Sequence, residues 1–213
     1  MTGHAVVGFA FDGHGCEDAR MKSPAAPAPK FSVENKVVMI TGASSGIGAA
    51  CARLFAQQGA RLILLARKSP QLTALAAELR EQNTVVHECA VDVRDADAVF
   101  RRVSELPNDL RPVDILLNNA GLGRGLDKLQ DADPKEFDEV IDTNVKGLLY
   151  ATRAVLPEMV ARDAGHIVNL GSVAGRQAYA GGAVYCASKA AVRMLTECLK
   201  HDLLGTRIRV STV

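Results

Sequence analysis

The chain has 213 residues, 48% hydrophobic and 23% charged, with a formal net charge of +1 and no tryptophan. That is length enough for one α/β domain with a buried core. The balanced charge and scarce aromatics argue against a nucleic-acid partner, and no apolar run approaches the roughly 18–20 residues that span a bilayer.

Residues 1–34 read as a flexible N-terminal extension. They lack helix or strand periodicity and contain Ser-Pro-Ala-Ala-Pro-Ala-Pro at 23–29. The apolar piece Ala5–Ala10 has no positive flank and reads as neither signal peptide nor anchor. From residue 35 to 213 the pattern is that of one dinucleotide-binding domain. Val37–Thr41 is an apolar run ending in a glycine-rich turn, as a buried parallel strand requires. A helix over 49–58 closes at Gly59. Arg61–Ala66 is a second strand. Ser69 and Pro70 open a helix as N-cap and first helical residue. Thr84–Val91 is a third strand, Asp95–Leu106 a helix, and Val113–Leu117 a fourth strand. Asp133, Pro134 and Glu136 start a long helix through 161 with a capping box. His166–Leu170 is a fifth strand, Ala183–Leu204 a helix, and Arg207–Val213 a sixth strand. Six strands with intervening helices imply an α/β fold, a Rossmann-type doubly wound parallel sheet in a single domain. Ligands of such sheets lie beyond the carboxyl ends of the strands.

The turn after the first strand reads Thr41-Gly42-Ala43-Ser44-Ser45-Gly46-Ile47-Gly48. Gly42 permits a tight turn, Gly46 a close approach of backbone to a pyrophosphate, and Gly48 close packing of the following helix. The N–H groups of Ser44 through Gly48 and the helix dipole then favour phosphate. The second strand ends in Ala66-Arg67-Lys68. No carboxylate stands there to bond an unphosphorylated ribose, and two cations are at hand for a 2′-phosphate, so the expected cofactor is NADP(H). Asp92 and Val93 follow the third strand, where the adenine edge is expected.

Tyr185 and Lys189 lie four residues apart and so share one helix face. An ammonium beside a phenol favours its ionised form, which suits proton transfer near neutral pH. Ser172, just past the fifth strand, is placed to hold a substrate oxygen beside Tyr185. The five cysteines, at 16, 51, 89, 186 and 198, form no CxxC pair and read as free thiols in a reducing compartment. The five histidines show no metal-ligand spacing, so no metal is expected.

Over residues 36–213 the chain resembles the short-chain dehydrogenase/reductase family. The resemblance rests on the glycine turn, on Asn118-Asn119-Ala120-Gly121, on Asn144 within Thr143-Asn144-Val145-Lys146-Gly147, on Ser172, and on Tyr185-Cys186-Ala187-Ser188-Lys189. It implies Tyr185 as general acid/base and Lys189 as its electrostatic partner and a ligand of the nicotinamide ribose. It implies Ser172 and Tyr185 as substrate-orienting groups and Asn144 as holder of a water that relays protons through Lys189. Asn119, Ala120 and Gly121 would close on the adenosine side of the cofactor. The run from Ile141 to Pro157 looks like the NADP-dependent serine/allo-threonine 3-dehydrogenase group, which acts on small 3-hydroxy acids. Arg124 and Arg176 are candidates for the substrate carboxylate. A broader carbonyl or 3-ketoacyl reductase, or a chain that only binds nucleotide, are the alternatives. The resemblance further implies a homo-oligomer assembled through helices at 134–161 and 183–204, while the lack of a signal-like or membrane-spanning stretch makes cytoplasmic the default expected location. Family members continue past the point where this sequence stops at Val213, so weakened cofactor binding and low turnover are expected of the isolated chain.

Overall fold

The computed structural model describes residues 32–213. The expectations for residues 1–31, including the Ala5–Ala10 piece and the 23–29 stretch, lie outside the described residues. Of the expected extension, residues 32–34 are described, and Val33 packs on the core.

β1 (Val37–Thr41) is buried at all five positions, as a strand covered on both faces must be. β2 (Arg61–Ala66) and β4 (Ile115–Asn118) flank it in parallel, with Met39 opposite both Ile63 and Leu116. β3 (Val86–Ala90), β5 (Gly165–Asn169) and β6 (Ile208–Thr212) complete a parallel sheet in the order β3-β2-β1-β4-β5-β6. The order reverses direction between β1 and β4, and that switch point opens a crevice at the strand ends. The expected doubly wound α/β fold is therefore the fold the chain adopts.

Alternate strand residues feed two cores. Val37, Met39, Ile63 and Leu65 pack with Val99 of α3 (Ala96–Ser104) and with Val155 and Met159 of α5 (Gly147–Ala161). Val38, Ile40, Leu62 and Leu64 pack with Ala52 of α1 (Gly46–Gln57) and with Leu72 and Leu79 of α2 (Pro70–Glu81). Each fully buried side chain of this size contributes about 1.5–3 kcal/mol. Ser69 caps α2 through its hydroxyl, which accepts from the Leu72 N–H at 3.2 Å, and Asp95 caps α3 in the same way through Ala98.

Two expectations need correction. The helix read as unbroken from 134 to 161 is α4 (Pro134–Ile141), a π turn over Asp142–Lys146, and then α5. The N–H of Gly147 reaches back to Asp142 O, five residues earlier, so the turn holds one extra residue and carries Asn144 into the interior, 2% exposed. The capping box at Asp133 is also incomplete. Asp133 accepts from the Lys135 N–H at 2.9 Å, but Glu136 lies against Gly125 instead of bonding back. The long α6 (Ala183–Asp202) follows β5 and leads into β6. β1 and β2 have the expected bounds, and the other expected strand and helix ends lie within three residues of those observed. No described helix is long and apolar enough to cross a membrane.

Candidate active site

A cleft of about 1430 Å³ opens where the strand order reverses. It has a nucleotide half, at the ends of β1, β2 and β3, and a reaction half, at the end of β5 and the start of α6.

The nucleotide half is built on the glycine turn. Gly42 sits at φ +65, a left-handed conformation that frees β1 to turn sharply. Gly48 lies beneath the turn, where a Cβ would collide with the carbonyl oxygen of Gly42 and with Asn119. The Asn119 side chain staples the turn to β4 by donating to Thr41 O at 2.9 Å and Gly42 O at 3.1 Å. Thr41 Oγ1 accepts from the N–H groups of both Asn119 and Ala120 at 3.0 Å. α1 begins at Gly46, three residues earlier than expected, so the turn itself forms its first N–H groups. Ser45 stands in the N-cap position with no side-chain cap bond, and open space surrounds Gly46. An uncapped helix start with room before it is a fit for a phosphate group. β2 ends on Ala66, and the exposed Arg67 and Lys68 that follow line the same cleft, which fits a further phosphate on the ribose.

In the reaction half, Tyr185 and Lys189 sit one turn apart on α6, with Lys189 Nζ 5.9 Å from the centre of the Tyr185 ring. Lys189 is 6% exposed and donates to Leu170 O at 2.8 Å. Burial pushes its ammonium below the ordinary lysine range. Ser172 caps a short 3₁₀ turn by accepting from the Ala174 N–H at 3.1 Å, and its residue is exposed at the end of β5. Asn144 clamps the loop after β4. Its Oδ1 accepts from the Leu122 N–H at 2.8 Å, and its Nδ2 donates to Leu122 O at 2.8 Å and to Ser188 Oγ at 3.0 Å. Both amide N–H groups and Oδ1 are thus engaged in the clamp.

Of the catalytic and cofactor-binding residues expected from sequence, all line the cleft except Gly48, which lies under the turn, and Asn144, which lies behind the loop. The two carboxylate candidates fare differently. Arg176 is not among the lining residues. Arg124 is, but its guanidinium is already held by Glu139 at 2.6 and 3.0 Å. Sequence reasoning missed two groups. One is the ion-pair string Asp92–Arg94–Glu139–Arg124. The other is a buried polar ladder beneath the strand ends. There Asn118 donates to Thr152 and Asn169, Asn169 donates to Thr196, and Thr212 donates to Thr196, all at 2.9–3.0 Å. The only available signal was a polar residue at the end of each of the three strands, Asn118, Asn169 and Thr212.

The chain is similar in sequence and fold to known proteins. A short chain dehydrogenase family model matches residues 36–213. The chain is 45% identical over 177 residues to the NADP-dependent 3-hydroxy acid dehydrogenase YdfG of Salmonella typhi, covering 83% of this chain and 70% of that one. It is 49% identical over 178 residues to sulfoacetaldehyde reductase 2 of Chromohalobacter salexigens, with the same coverage of 83% and 70%. Among solved structures, serine dehydrogenase from Escherichia coli superposes with a TM-score of 0.78 at 44% identity, over 82% of this chain and 80% of that one.

Proposed function

The chain belongs to the short-chain dehydrogenase family, and from that premise we propose that it moves a hydride between NADP(H) and the 3-carbon of a small hydroxy acid such as serine, allo-threonine or 3-hydroxybutyrate. The observation that carries the reading is that Tyr185 and Lys189 open on the same cleft as the uncapped start of α1 and the Arg67–Lys68 pair. The relatives at 43–45% identity, named NADP-dependent 3-hydroxy acid dehydrogenases, support the same reading.

The residues of the glycine turn, with Asp92, Val93 and Asn119 to Gly121, would hold the dinucleotide, and Arg67 and Lys68 its 2′-phosphate. When bound, the nicotinamide supplies the hydride donor or acceptor. The proton falls to the protein. The Tyr185 hydroxyl gives its proton to the substrate oxygen in reduction and takes one back in oxidation. The cationic Lys189 beside it stabilises the phenolate left when the proton moves. Ser172 Oγ accepts from the Ala174 N–H, and its own O–H would donate to the substrate oxygen. Asn144 fixes the loop that covers Lys189, and it would hold the relay water.

A second reading, a reductase of small anionic aldehydes, is favoured by the 49% identity to sulfoacetaldehyde reductase 2. Steady-state assays decide between the two, with serine and 3-hydroxybutyrate plus NADP⁺ in one arm and sulfoacetaldehyde or a 3-ketoacyl thioester plus NADPH in the other. The highest kcat/KM on hydroxy acids supports the first reading, and on sulfoacetaldehyde the second. A best rate on the thioester makes the protein a ketoacyl reductase, and no turnover without NADPH binding overturns the enzyme reading. The proposal includes a homo-oligomer, supported by the exposed apolar residues Leu149 and Val160 on α5 and Met194 on α6, and checked by sedimentation. It also includes a cytoplasmic site, which the free thiols of Cys51, Cys89, Cys186 and Cys198 suit.

A further inference from the structure

Two acidic side chains line the cleft among the described residues, Asp92 and Glu139. Both share that cleft with Arg67 and Lys68, the cations on which a 2′-phosphate would depend. Left bare, either would compete with the phosphate for Arg67 and repel it. Neither is bare. Arg94 donates from Nε to Asp92 Oδ1 and Oδ2 at 3.1 and 3.0 Å and from Nη2 to Oδ2 at 2.7 Å, and its backbone N–H adds a bond of 3.0 Å to Oδ1. Its Nη1 also stands 3.8 Å from Glu139 Oε1. Arg124 grips Glu139 from the other side with two bonds of 2.6 and 3.0 Å. Glu139 thus lies between two guanidinium groups.

The titration of these carboxyls shows the same neighbourhood. Arg94, and more weakly Arg67, hold Asp92 below the usual range. Arg124 does the same for Glu139, followed by Arg94 and Arg67. Arg67 is therefore within electrostatic reach of both carboxylates. Two cations cancel two anions in this string, so that Arg67 and Lys68 remain as the net charge of the nucleotide half.

We propose that Arg94 is a specificity-determining residue for the phosphorylated cofactor: by neutralising Asp92 and sharing Glu139 with Arg124, it keeps Arg67 and Lys68 available to the 2′-phosphate. A guanidinium is suited to this because its planar fork matches a carboxylate through two bonds and stays charged at all working pH values. The inference rests on the NADP(H) reading of the cleft.

The test is a fluorescence titration of the whole chain with NADPH and, in parallel, NADH. Arg94→Gln is expected to weaken NADPH binding roughly tenfold and NADH binding by less than about threefold, the difference shrinking as salt is raised. Asp92→Asn combined with Arg94→Gln is expected to recover the NADPH preference, because the acid to be neutralised is gone. Arg94→Lys, which keeps the charge and loses the fork, should retain most of the preference, and it carries the test if Arg94→Gln does not fold. Equal losses for both cofactors in Arg94→Gln, or no recovery in the double variant, overturn the inference and leave the cofactor assignment standing. A wild-type chain that binds NADPH no tighter than NADH overturns the cofactor assignment and the inference with it.

Discussion

Tyr185 and Lys189 are neighbours because a helix brings residue i and i+4 onto one face, and nothing else in the chain is needed to place them together. What the helix alone does not do is hold Lys189 extended. That falls to Leu170 O, which accepts from Nζ at 2.8 Å, and to the burial that leaves the ammonium few other partners. The division of labour makes a prediction. Tyr185→Phe removes one hydroxyl, the group proposed to move the proton, and keeps the ring. Turnover should fall by about 10²–10⁴-fold, the usual contribution of a positioned acid/base, while NADPH binding stays within a few-fold and the unfolding midpoint hardly moves. Retained turnover in a variant that binds NADPH normally would remove Tyr185 from the proposed role. Arg94 shows the opposite case of legibility. Its partner Asp92 is two residues away in a loop, and Glu139 is on another helix, so no periodicity marks the pair and only the fold assembles it.

The element that sets the nucleotide half is the strand–turn–helix unit from β1 into α1. Its glycines could be read from the sequence because each answers a steric demand visible in the structure. Gly42 takes a positive φ, and Gly48 leaves no room for a Cβ beside the Gly42 carbonyl. Gly48→Ala should therefore push the turn away from α1 at a cost of about 1–3 kcal/mol. Because the displaced groups are the ones proposed to face phosphate, NADPH affinity should drop at least as much as stability does. Calorimetric titration beside thermal melts checks this, and an alanine variant with unchanged affinity would show that the turn is not the phosphate seat. The π turn at 142–146 could not be read in the same way. It differs from the surrounding α-helix by a single residue per turn, and Asp142 to Lys146 carry no compositional mark of it. The sequence pattern locates Asn144 on a helix, but only the widened turn explains why its amide points inward to clamp Leu122 and Ser188.

At the scale of the whole molecule, the buried ladder ties the ends of β4, β5 and β6 to α5 and α6 through Asn118, Thr152, Asn169, Thr196 and Thr212. These five residues are far apart in the chain and individually unremarkable, which is why strand order had to be known before they became a group. Asn169→Leu would take away the oxygen that accepts from Asn118 and the N–H that Thr196 accepts. Each polar group left unsatisfied in a dry interior costs about 1–3 kcal/mol. The change would also loosen the segment that presents Leu170 O to Lys189. Chemical denaturation should show a loss of that size, and an unchanged midpoint would mean that the ladder contributes nothing.

The sheet also carries a response to pH. His87 on β3 and His166 on β5 are half-buried, and burial is the leading cause that pushes both below the ordinary value of 6.5, with nearby arginines adding to it. His166 is fixed further by Ser211 Oγ at 2.9 Å, which joins β5 to β6. Above 6.5 both folded and unfolded chains hold these rings neutral, and stability is at its plateau. As the pH falls below that value the unfolded chain takes up protons that the folded chain refuses, so stability drops until the folded rings titrate as well. Buried Lys189 acts with the same sign in an alkaline window. The unfolded chain still holds its proton up to 10.5 while the folded one gives it up sooner, so stability gains there as pH rises. The two windows can be separated by one substitution. Melting temperature measured from about pH 7 down to about pH 5 should decline in the wild type, and the decline should be shallower in His166→Gln, whose side chain has no proton to gain in that range. An identical slope in both proteins would assign the acid response to other groups, while a steeper slope in the variant would contradict the sign that burial of the ring imposes.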